Sequence, residues 1–316
     1  MSGILKLGTR GSKLALWQAG WVRERLAERG VAAEIVVIKT RGDAEVDRPL
    51  QQLEGKGFFT KEIEAALLER RIDVAVHSLK DLPTRLTHGL ALAAVPERAD
   101  PRDVLVTRER GVTSLAGLPP AARVGTSSLR RVAQLRHLRP DVAVLPLRGN
   151  VPTRVRKVQE GGDGALDAAL LARAGLERLG LAAVVAVTLD PLEIMPAPGQ
   201  GALGLEVRAD DRATRSALAP LEHPPSARQV AAERSLLAAL GGGCQAAVAA
   251  YAGSGDGDGG GGGGGGKGRL YGRVTARDGA VQITASADVD PGDPAAAGVT
   301  VADLLRAQGA LELLAR

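Results

Sequence analysis

A single cysteine, Cys244, is the first candidate for chemistry in this chain of 316 residues. It follows three glycines at the end of a helical pattern, where little side-chain cover would keep a bulky group away from the sulfur. One thiol forms neither an internal disulfide nor a thiolate metal cluster. Two interpretations stay open at this point, an inert buried thiol and a sulfur that is used chemically.

Hydroxyl and basic side chains cluster at two places where a predicted strand leads into a helix. The first is residues 8–13, with Arg10 and Ser12, and a helix cap alone would explain it. The second is residues 125–131, which hold more polar groups than a cap needs, namely Thr126, Ser127, Ser128, Arg130 and Arg131. Because helix N-terminal amides and guanidinium groups both attract anions, we expect an anion site at the second segment.

A third basic segment follows the next predicted strand and contains Arg148 and Arg154. In an open α/β sheet, ligands bind at the carboxyl ends of the strands, so these segments should converge on one cleft. Arginine grips carboxylates and phosphates with two parallel hydrogen bonds, and we therefore expect a ligand with many such groups. Arg156 and Lys157 are better explained as a solvated helix face.

The adjacent pair Lys80 and Asp81 lies where a buried strand over residues 73–78 is predicted to end. A cation and a carboxylate at such a position can serve acid–base catalysis and the stabilisation of charge. Neighbouring residues of an extended chain point in opposite directions, so the two would act on different parts of a ligand. A purely structural pair is the alternative, and we interpret the nearby His77 as a packed residue at the strand end.

Short β-rich runs alternate with amphipathic helical patterns in the first two thirds of the chain, which predicts an α/β fold. The predicted strands are residues 33–38, 73–78, 104–107, 122–126, 142–147 and 166–171, and helices start at Ser12 and Thr60. The pattern restarts near Pro101, so we expect two similar, doubly wound α/β domains. A break bounded by prolines at residues 96–101 and a second break, rich in Pro and Gly, at residues 195–201 predict two crossings that form a hinge over a cleft.

After residue 220 the pattern changes to that of a small α+β domain. It predicts a helix from Ser226 to Leu240 with Gln229 in a capping-box position, a strand from Ala247, a hairpin turn at Asp278 and Gly279, and a helix from Thr300 to Leu314. Residues 253–268 include eight consecutive glycines and are expected to form a disordered surface loop. The predicted domains are residues 1–97 plus 199–219, residues 98–198, and residues 220–316.

Composition narrows the class of protein without naming a ligand. The formal net charge is +5, yet aromatic residues make up only 2%, so platforms for stacking nucleic-acid bases are scarce. No apolar run has membrane-spanning length, and no signal-peptide pattern precedes the first strand, so with one cysteine we expect a cytoplasmic protein. The four histidines are scattered without the spacing of metal ligands, and no metal site is expected.

Taken in order along the chain, these motifs resemble the porphobilinogen deaminase family, also called hydroxymethylbilane synthases, of the tetrapyrrole pathway. The matching segments are residues 8–12, 40–43, 55–59, 77–83, 125–131, 148–150, 198–201 and 242–245. They span nearly the whole chain. The sequence departs from the family at Ala246 and Ala247, where relatives often carry a proline, and in the glycine tract.

The resemblance implies a transferase with a covalent cofactor. In this family the cysteine, here Cys244, forms a thioether to a dipyrromethane that the enzyme builds from its own substrate. Four porphobilinogen units are added in turn with loss of ammonia, and water releases hydroxymethylbilane. Loss of ammonia leaves an electron-deficient azafulvene, and the resemblance gives the stabilising carboxylate to Asp81, with Lys80 beside it. A monomer acting on this small molecule is implied.

Each pyrrole ring carries an acetate and a propionate, so the resemblance also implies a cleft lined by basic and hydroxyl groups. The residues implied for the cofactor are Cys244, Ser78, Lys80, Asp81, Thr126, Ser128, Arg130 and Arg131. Those implied for the substrate are Arg10, Ser12, Lys56, Phe59, Arg148, Arg154 and Arg178, with Lys56 on a loop over the cleft.

Two other classes of protein stay open. Two α/β lobes joined by a double crossing form a periplasmic-binding-protein-like fold, so a non-catalytic, two-lobed anion-binding protein would share this architecture. Such a protein would have no use for Cys244. A nucleic-acid-binding protein is the other class, and it would show strongly salt-dependent association.

Overall fold

The computed structural model describes residues 3–40, 60–109, 111–162, 165–241, 247–253 and 268–315. Its strands are β1 (Leu5–Thr9), β2 (Ala33–Val37), β3 (Val74–Ser78), β4 (Leu90–Ala94), β5 (Asp103–Thr107), β6 (Arg123–Gly125), β7 (Ala143–Leu145), β8 (Ala168–Ala172), β9 (Val187–Thr188), β10 (Leu203–Arg208), β11 (Val248–Gly253), β12 (Gly268–Thr275) and β13 (Gln282–Val289). Its helices are α1 (Lys13–Ala27), α2 (Lys61–Leu68), α3 (Leu129–Leu138), α4 (Val151–Gln159), α5 (Arg173–Arg178), α6 (Arg212–Leu218), α7 (Pro224–Ala239), α8 (Pro294–Ala307) and α9 (Ala310–Ala315).

Two five-stranded sheets share one strand order. The sheet of the first lobe runs β2-β1-β3-β10-β4, and the sheet of the second lobe runs β7-β6-β8-β5-β9. In each sheet the first three strands are parallel, and the fourth is antiparallel to its neighbours and directly follows a crossing between the lobes. The prediction of two similar α/β lobes joined by two crossings is therefore confirmed.

Helix α1 shows how local sequence produces the first lobe. The Ser12 hydroxyl accepts a hydrogen bond of 3.2 Å from the Ala15 amide, which has no partner within the helix itself. Ala19, Val22 and Leu26 recur at helical spacing and are completely buried in the core of the lobe. The predicted helix after Ser12 is therefore confirmed, and its first turn stands at the carboxyl end of β1.

Strands β4, β9 and β10 are absent from the sequence-based prediction. Strand β10 lies between β3 and β4 and is buried along its whole length, so it lacks the alternating pattern of a half-exposed strand. It also contains Glu206, an unusual residue for a buried strand, whose Oε2 lies 3.0 Å from Nε2 of His77 on β3. His77 is therefore packed at the strand end as we interpreted it, while the other oxygen of Glu206, Oε1, is buried and has no hydrogen-bond partner among the described residues.

The C-terminal part has a three-stranded sheet, β11-β12-β13, packed against α7 and α8. The predicted hairpin turn is confirmed, with Gly279 at a φ of 82° between β12 and β13. Helix α7 begins at Pro224 rather than after Ser226, because proline has the φ of a first helical turn. The Ser226 hydroxyl accepts a hydrogen bond from the Arg98 amide at 2.9 Å, so its predicted role as the helix cap is wrong.

The last helical region also differs from the prediction. Helix α8 begins at Pro294 and is capped by Asp293, whose Oδ1 accepts a hydrogen bond of 3.2 Å from the Ala296 amide. Thr300, the predicted start, is an interior residue of α8. Gly309, with a φ of 89°, separates α8 from α9, so the single helix predicted over residues 300–314 is wrong.

The predicted glycine loop is only partly within the described residues. Gly253 ends β11 and pairs with Arg269, and Gly268 begins β12 and pairs with Val289, so both ends of the predicted loop are strand residues. Residues 254–267 lie outside the described part of the chain, as do Cys244, Lys56 and Phe59.

One buried carboxylate on α7 ties the C-terminal domain to both crossings. Glu233 is completely buried and accepts hydrogen bonds of 2.8 and 2.9 Å from the guanidinium of Arg98, which lies on the first crossing. It also accepts a hydrogen bond of 2.7 Å from the backbone amide of Gly199 on the second crossing and one of 2.9 Å from the backbone amide of Ala252 on β11. Four donors offset the cost of burying the charge, and they hold three parts of the chain at one point.

A glycine at the crossing of α7 and α8 should be essential for stability. A Cβ on Gly298 would lie 2.5 Å from the Leu236 nitrogen and 2.6 Å from the Ala232 oxygen, so the helices would have to separate. We expect Gly298→Ala to lower the free energy of unfolding by about 1–3 kcal/mol, the usual range for overpacking. Urea unfolding followed by circular dichroism measures this change.

The matched control is Gly20→Ala in α1, where an added Cβ meets nothing within 4 Å. Alanine favours a helix interior over glycine, so this variant should be more stable by about 0.5–1 kcal/mol. Equal effects of the two substitutions would contradict the close helix crossing.

Candidate active site

The parallel strands of both lobes end beside most of the predicted site residues. The residues at or after these ends are Arg10 and Ser12 after β1, Ser78, Lys80 and Asp81 at β3, Thr126 and Ser128 after β6, Arg148 after β7, and Arg178 after β8. Arg154 lies in α4. This is the edge at which open α/β sheets bind their ligands.

A tight turn presents Lys80 and Asp81. The turn, Leu79–Asp81, directly follows β3. It is anchored by the fully buried Leu79, whose backbone amide donates a hydrogen bond of 3.0 Å to the Ala202 carbonyl. From α7, the Arg234 guanidinium donates to the carbonyls of Leu79, Leu82 and Pro83 at 3.3, 2.8 and 2.7 Å. Because Ala202, which precedes β10, and Arg234 of α7 both bind its backbone, the turn has a defined position in the cleft.

Across the cleft, two adjacent arginines of α3 share one buried acid, Asp103. Arg130 donates to Asp103 at 2.8 Å, and Arg131 donates to both of its oxygens at 3.0 and 2.7 Å. The Gln200 amide adds a donor at 2.7 Å. Burial alone would raise the pKa of Asp103, but the two guanidinium charges and these hydrogen bonds outweigh it and hold that pKa below its ordinary value.

Lys80 connects the turn to this cluster. Its Nζ donates to the Gln200 Oε1 at 3.4 Å, and the same oxygen lies 3.5 Å from an amino group of Arg131. Burial lowers the pKa of Lys80 to about 8; Asp81 opposes this shift, and the charge of Arg131 adds to it. An amine with this pKa can hold or release a proton near neutral pH.

Arg154 faces the same space from α4. Burial lowers its pKa to about 10, the charges of Arg131 and Arg148 add to the shift, and Asp81 opposes it. Its Nε donates a hydrogen bond of 2.7 Å to the carbonyl of Gly149, a residue with a φ of 114°. Glycine tolerates this conformation, which explains why a glycine separates Arg148 from the residue that caps α4.

Arg178 lies on a different wall of the cleft. Its guanidinium donates a hydrogen bond of 2.6 Å to the Gly201 carbonyl on the second crossing. The guanidinium carbon lies 5.8 Å from the centre of the Trp17 ring on α1. Burial lowers its pKa to about 10, and Glu177 opposes the shift.

The predicted hydroxyl groups have varied partners. Ser12 caps α1. The Ser78 hydroxyl accepts a hydrogen bond of 2.8 Å from the side-chain amide of Gln18, and the Thr126 hydroxyl accepts one of 3.4 Å from the backbone amide of Ser128. Ser127 instead joins the chain after β6 to Leu147, with hydrogen bonds of 3.0 Å to its nitrogen and its oxygen.

Sequence reasoning missed two residues that organise the site, Asp103 and Gln200. Asp103 is an acid at the start of an apolar run, and such a residue needs a buried partner, but the sequence does not say which one. Gln200 lies in the Pro-Gly-Gln-Gly segment that predicts the second crossing. Gly201 there has a φ of 85°, and a side chain on it would collide with the Ala99 carbonyl, so glycine lets the two crossings touch.

Among the described residues, no three His, Cys, Asp or Glu side chains come together as a group that could hold a metal ion. Within the same ranges, no helix is both long and apolar enough to span a membrane.

Comparison with known proteins identifies the family. Residues 5–216 match the family model described as "Porphobilinogen deaminase, dipyromethane cofactor binding domain", and residues 227–307 match "Porphobilinogen deaminase, C-terminal domain". The chain belongs to the porphobilinogen deaminase family. Family membership confirms the expectation of a transferase of tetrapyrrole synthesis that carries a dipyrromethane cofactor, and it does not favour the alternative of a non-catalytic anion-binding protein.

Curated porphobilinogen deaminases are similar over most or all of the chain. The protein from Roseiflexus sp. (strain RS-1) is 47% identical over 100% of both chains. That from Geobacter sulfurreducens is 46% identical over 98% of this chain and 94% of its own. That from Pelobacter propionicus is 51% identical over 78% of each.

Among solved structures, a periplasmic substrate-binding protein of an ABC transporter from Coxiella burnetii aligns with 73% of this chain and 97% of its own, at 13% identity and a TM-score of 0.43. The family assignment comes from the sequence matches, and the two-lobed fold from the sheet topology described above.

The charges of the cleft fit the deaminase family's cofactor, a chain of two rings that each carry two carboxylates. Among the described residues, the charges that act on Lys80 or Arg154 are those of the cations Arg130, Arg131 and Arg148 and of the acids Asp81 and Asp103. The buried Arg130 Nε finds no hydrogen-bond partner among the described residues. An anionic ligand with several carboxylates would complete this balance of charge.

We expect Asp103→Asn to destabilise the deaminase by about 3–5 kcal/mol at pH 7, because two buried guanidinium groups would lose their counter-charge. The pKa of Asp103 is lowered in the folded state, so its contribution is fully present above the unfolded value of about 3.9 and is lost as pH falls through the folded value. Thermal unfolding at pH 7 measures the loss. Asp288→Asn, at an exposed ion pair with Arg269, is the control and should change stability little. Similar losses in both variants would contradict this account of Asp103.

The pKa of Lys80 predicts an alkaline limb in the activity profile. Above about pH 8 the free enzyme loses the ammonium charge that attracts carboxylates, so kcat/KM for porphobilinogen should fall as pH rises through this value. In Lys80→Arg the cation persists, and the limb should move to higher pH. A wild-type profile that stays flat to pH 10, or an unchanged limb in the variant, would contradict the role of Lys80.

Proposed function

We propose that this chain joins four porphobilinogen molecules head to tail, each with loss of ammonia, and then releases hydroxymethylbilane by hydrolysis. The observation that carries the proposal is the meeting of the Lys80–Asp81 turn of the first lobe with the arginines of the second lobe. A carboxylate suited to a positive reaction centre and cations suited to acidic side groups thereby face one cleft. Membership of the deaminase family supports the same reaction.

We assign the central catalytic role to Asp81. When ammonia leaves porphobilinogen, positive charge develops on the pyrrole ring, and a fixed carboxylate lowers the energy of that charge. The assignment is supported by the anchoring of the turn, since Arg234 and Leu79 fix the backbone on either side of Asp81. Lys80, with a pKa of about 8, can bind a carboxylate of the chain and exchange a proton.

The arginines are assigned to the acetate and propionate groups. Arg148 and Arg154 line the second lobe, Arg10 and Ser12 stand at the start of α1, and Arg178 lies near the second crossing. A guanidinium binds a carboxylate through two parallel hydrogen bonds, so each arginine fixes position as well as charge. Lys56 and Phe59, which lie outside the described residues, remain predicted substrate contacts on sequence grounds.

We assign the covalent cofactor to Cys244, held by Ser78, Thr126, Ser128, Arg130 and Arg131 together with the Lys80–Asp81 turn. When bound, the dipyrromethane supplies the terminal pyrrole carbon to which the first new unit is joined. Support comes from α7, the helix that precedes the Cys244 segment, because its Arg234 binds the backbone of the turn that carries Asp81.

We further propose a monomeric, cytoplasmic enzyme whose partner is the small molecule alone, without nucleic acid or membrane. The single cysteine is typical of a reducing compartment, and a cleft within one chain needs no second subunit. The predicted domains, residues 1–97 plus 199–219, 98–198 and 220–316, are part of this proposal.

An intact mass of the purified protein tests the proposed function. We expect an excess equal to two deaminated porphobilinogen units on the wild type and none on Cys244→Ser. Incubation with porphobilinogen should then add further units to the wild type. An unmodified wild-type chain that gains no mass would overturn the proposal and favour a non-catalytic anion-binding protein.

In the same assay, Asp81→Asn separates chemistry from binding. It keeps the size of the side chain and removes the charge, so we expect kcat to fall about a hundred- to thousandfold, the usual cost of losing one electrostatic stabiliser. Asp303→Asn, at an exposed ion pair on α8, is the control and should be as active as the wild type. Full activity of Asp81→Asn would remove Asp81 from the mechanism.

A further inference from the structure

Trp17 lies on the cleft-facing side of α1, and the proposed reaction gives it no role. Trp17 is 39% exposed, whereas Val22 and Leu26 of the same helix are completely buried. Its indole ring lies against the Arg178 guanidinium, 5.8 Å from the ring centre to the guanidinium carbon. Arg178 belongs to α5, so this contact joins the first lobe to the second.

The same two helices touch at a second point. A Cβ added to Gly175 of α5 would lie 3.8 Å from Cδ2 of Leu14 on α1 and 3.6 Å from Cγ2 of Val151 on α4, which are ordinary contact distances. The Leu14 side chain of α1 therefore lies close to α5 at Gly175. The Trp17–Arg178 pair therefore stands beside a direct apolar contact between the lobes.

The guanidinium of Arg178 keeps donors for a ligand. An arginine has five N–H donors, and among the described residues the hydrogen bond of Arg178 is the one to the Gly201 carbonyl, at 2.6 Å. The guanidinium carbon lies over the Trp17 ring, and this contact uses none of the remaining N–H donors. A carboxylate can therefore bind these N–H groups while the ring stays in place.

We propose that Trp17 is a positioning residue that holds the Arg178 guanidinium in the cleft, with N–H groups turned to a substrate carboxylate. This inference rests on the proposed function, because it needs Arg178 to bind the acidic substrate. Holding the cation in place lowers the entropy that binding must remove.

Kinetics of two variants at position 17 separate positioning from packing. Trp17→Phe keeps an aromatic face, so its KM for porphobilinogen should stay within about twofold of the wild type. Trp17→Leu fills similar space without that face, so its KM should rise about threefold to fivefold at unchanged kcat. Equal KM values for the two variants, or a loss confined to kcat, would overturn the proposal.

A spectroscopic test reports binding of a carboxylate to the Arg178 guanidinium beside the ring. The chain has two tryptophans, so in a Trp21→Phe background the emission comes from Trp17 alone. Adding porphobilinogen to the cofactor-bearing enzyme should shift this emission, because a carboxylate bound to Arg178 changes the charge beside the ring. In Arg178→Gln with the same background, the addition should cause no shift.

The two proposals fail in distinguishable ways. An unchanged emission in an enzyme that turns over porphobilinogen normally would overturn the role of Trp17 and leave the proposed function intact. A shift of the same size in the Arg178→Gln variant would also overturn it. Failure of the proposed function itself appears in the intact mass, which does not depend on Trp17.

Discussion

The buried carboxylate of Asp103 is the interaction on which the charged cleft depends. Arg130 and Arg131 are adjacent on one helix and almost completely buried, and two such cations without a counter-charge would cost several kcal/mol each. Asp103 reaches them because β5 directly follows the first crossing and runs beside β8 in the second sheet. The fold therefore supplies the acid that lets two arginines stand next to a site for acidic ligands.

The two crossings connect the lobes and also contact residues of the predicted site. Gln200 lies on the second crossing and binds Asp103 of the second lobe and Lys80 of the first, so the angle between the lobes bears on the position of the Lys80 ammonium. Glu233 fixes the C-terminal domain to both crossings, and Arg234, the next residue, fixes the Lys80–Asp81 turn. The residues that connect the domains therefore also contact the predicted site.

The sequence predicted the architecture well because its signals are local. Apolar periodicity, the Ser12 cap and the Asp278–Gly279 turn each act within a few residues, and the structure has all three. Strand β10 escaped prediction because it is buried on both faces and contains Glu206, whose partner His77 is remote in sequence. The partners of Arg130 and Arg131 escaped for the same reason, since spacing reveals a cluster of cations but not the distant acid that neutralises it.

Strand β10, which follows the second crossing but belongs to the sheet of the first lobe, sets the order in which the two sheets can form. In the first sheet β4 pairs with β10 alone, and β10 also covers one edge of β3, so this sheet is incomplete until residue 208 has been made. All five strands of the second sheet lie between Asp103 and Thr188. During synthesis on the ribosome, the sheet of the second lobe can therefore form first. Until β10 has been made, β3 and β4 have unpaired edges that can pair with the wrong strand. The lobe that begins the chain is the one that finishes folding later.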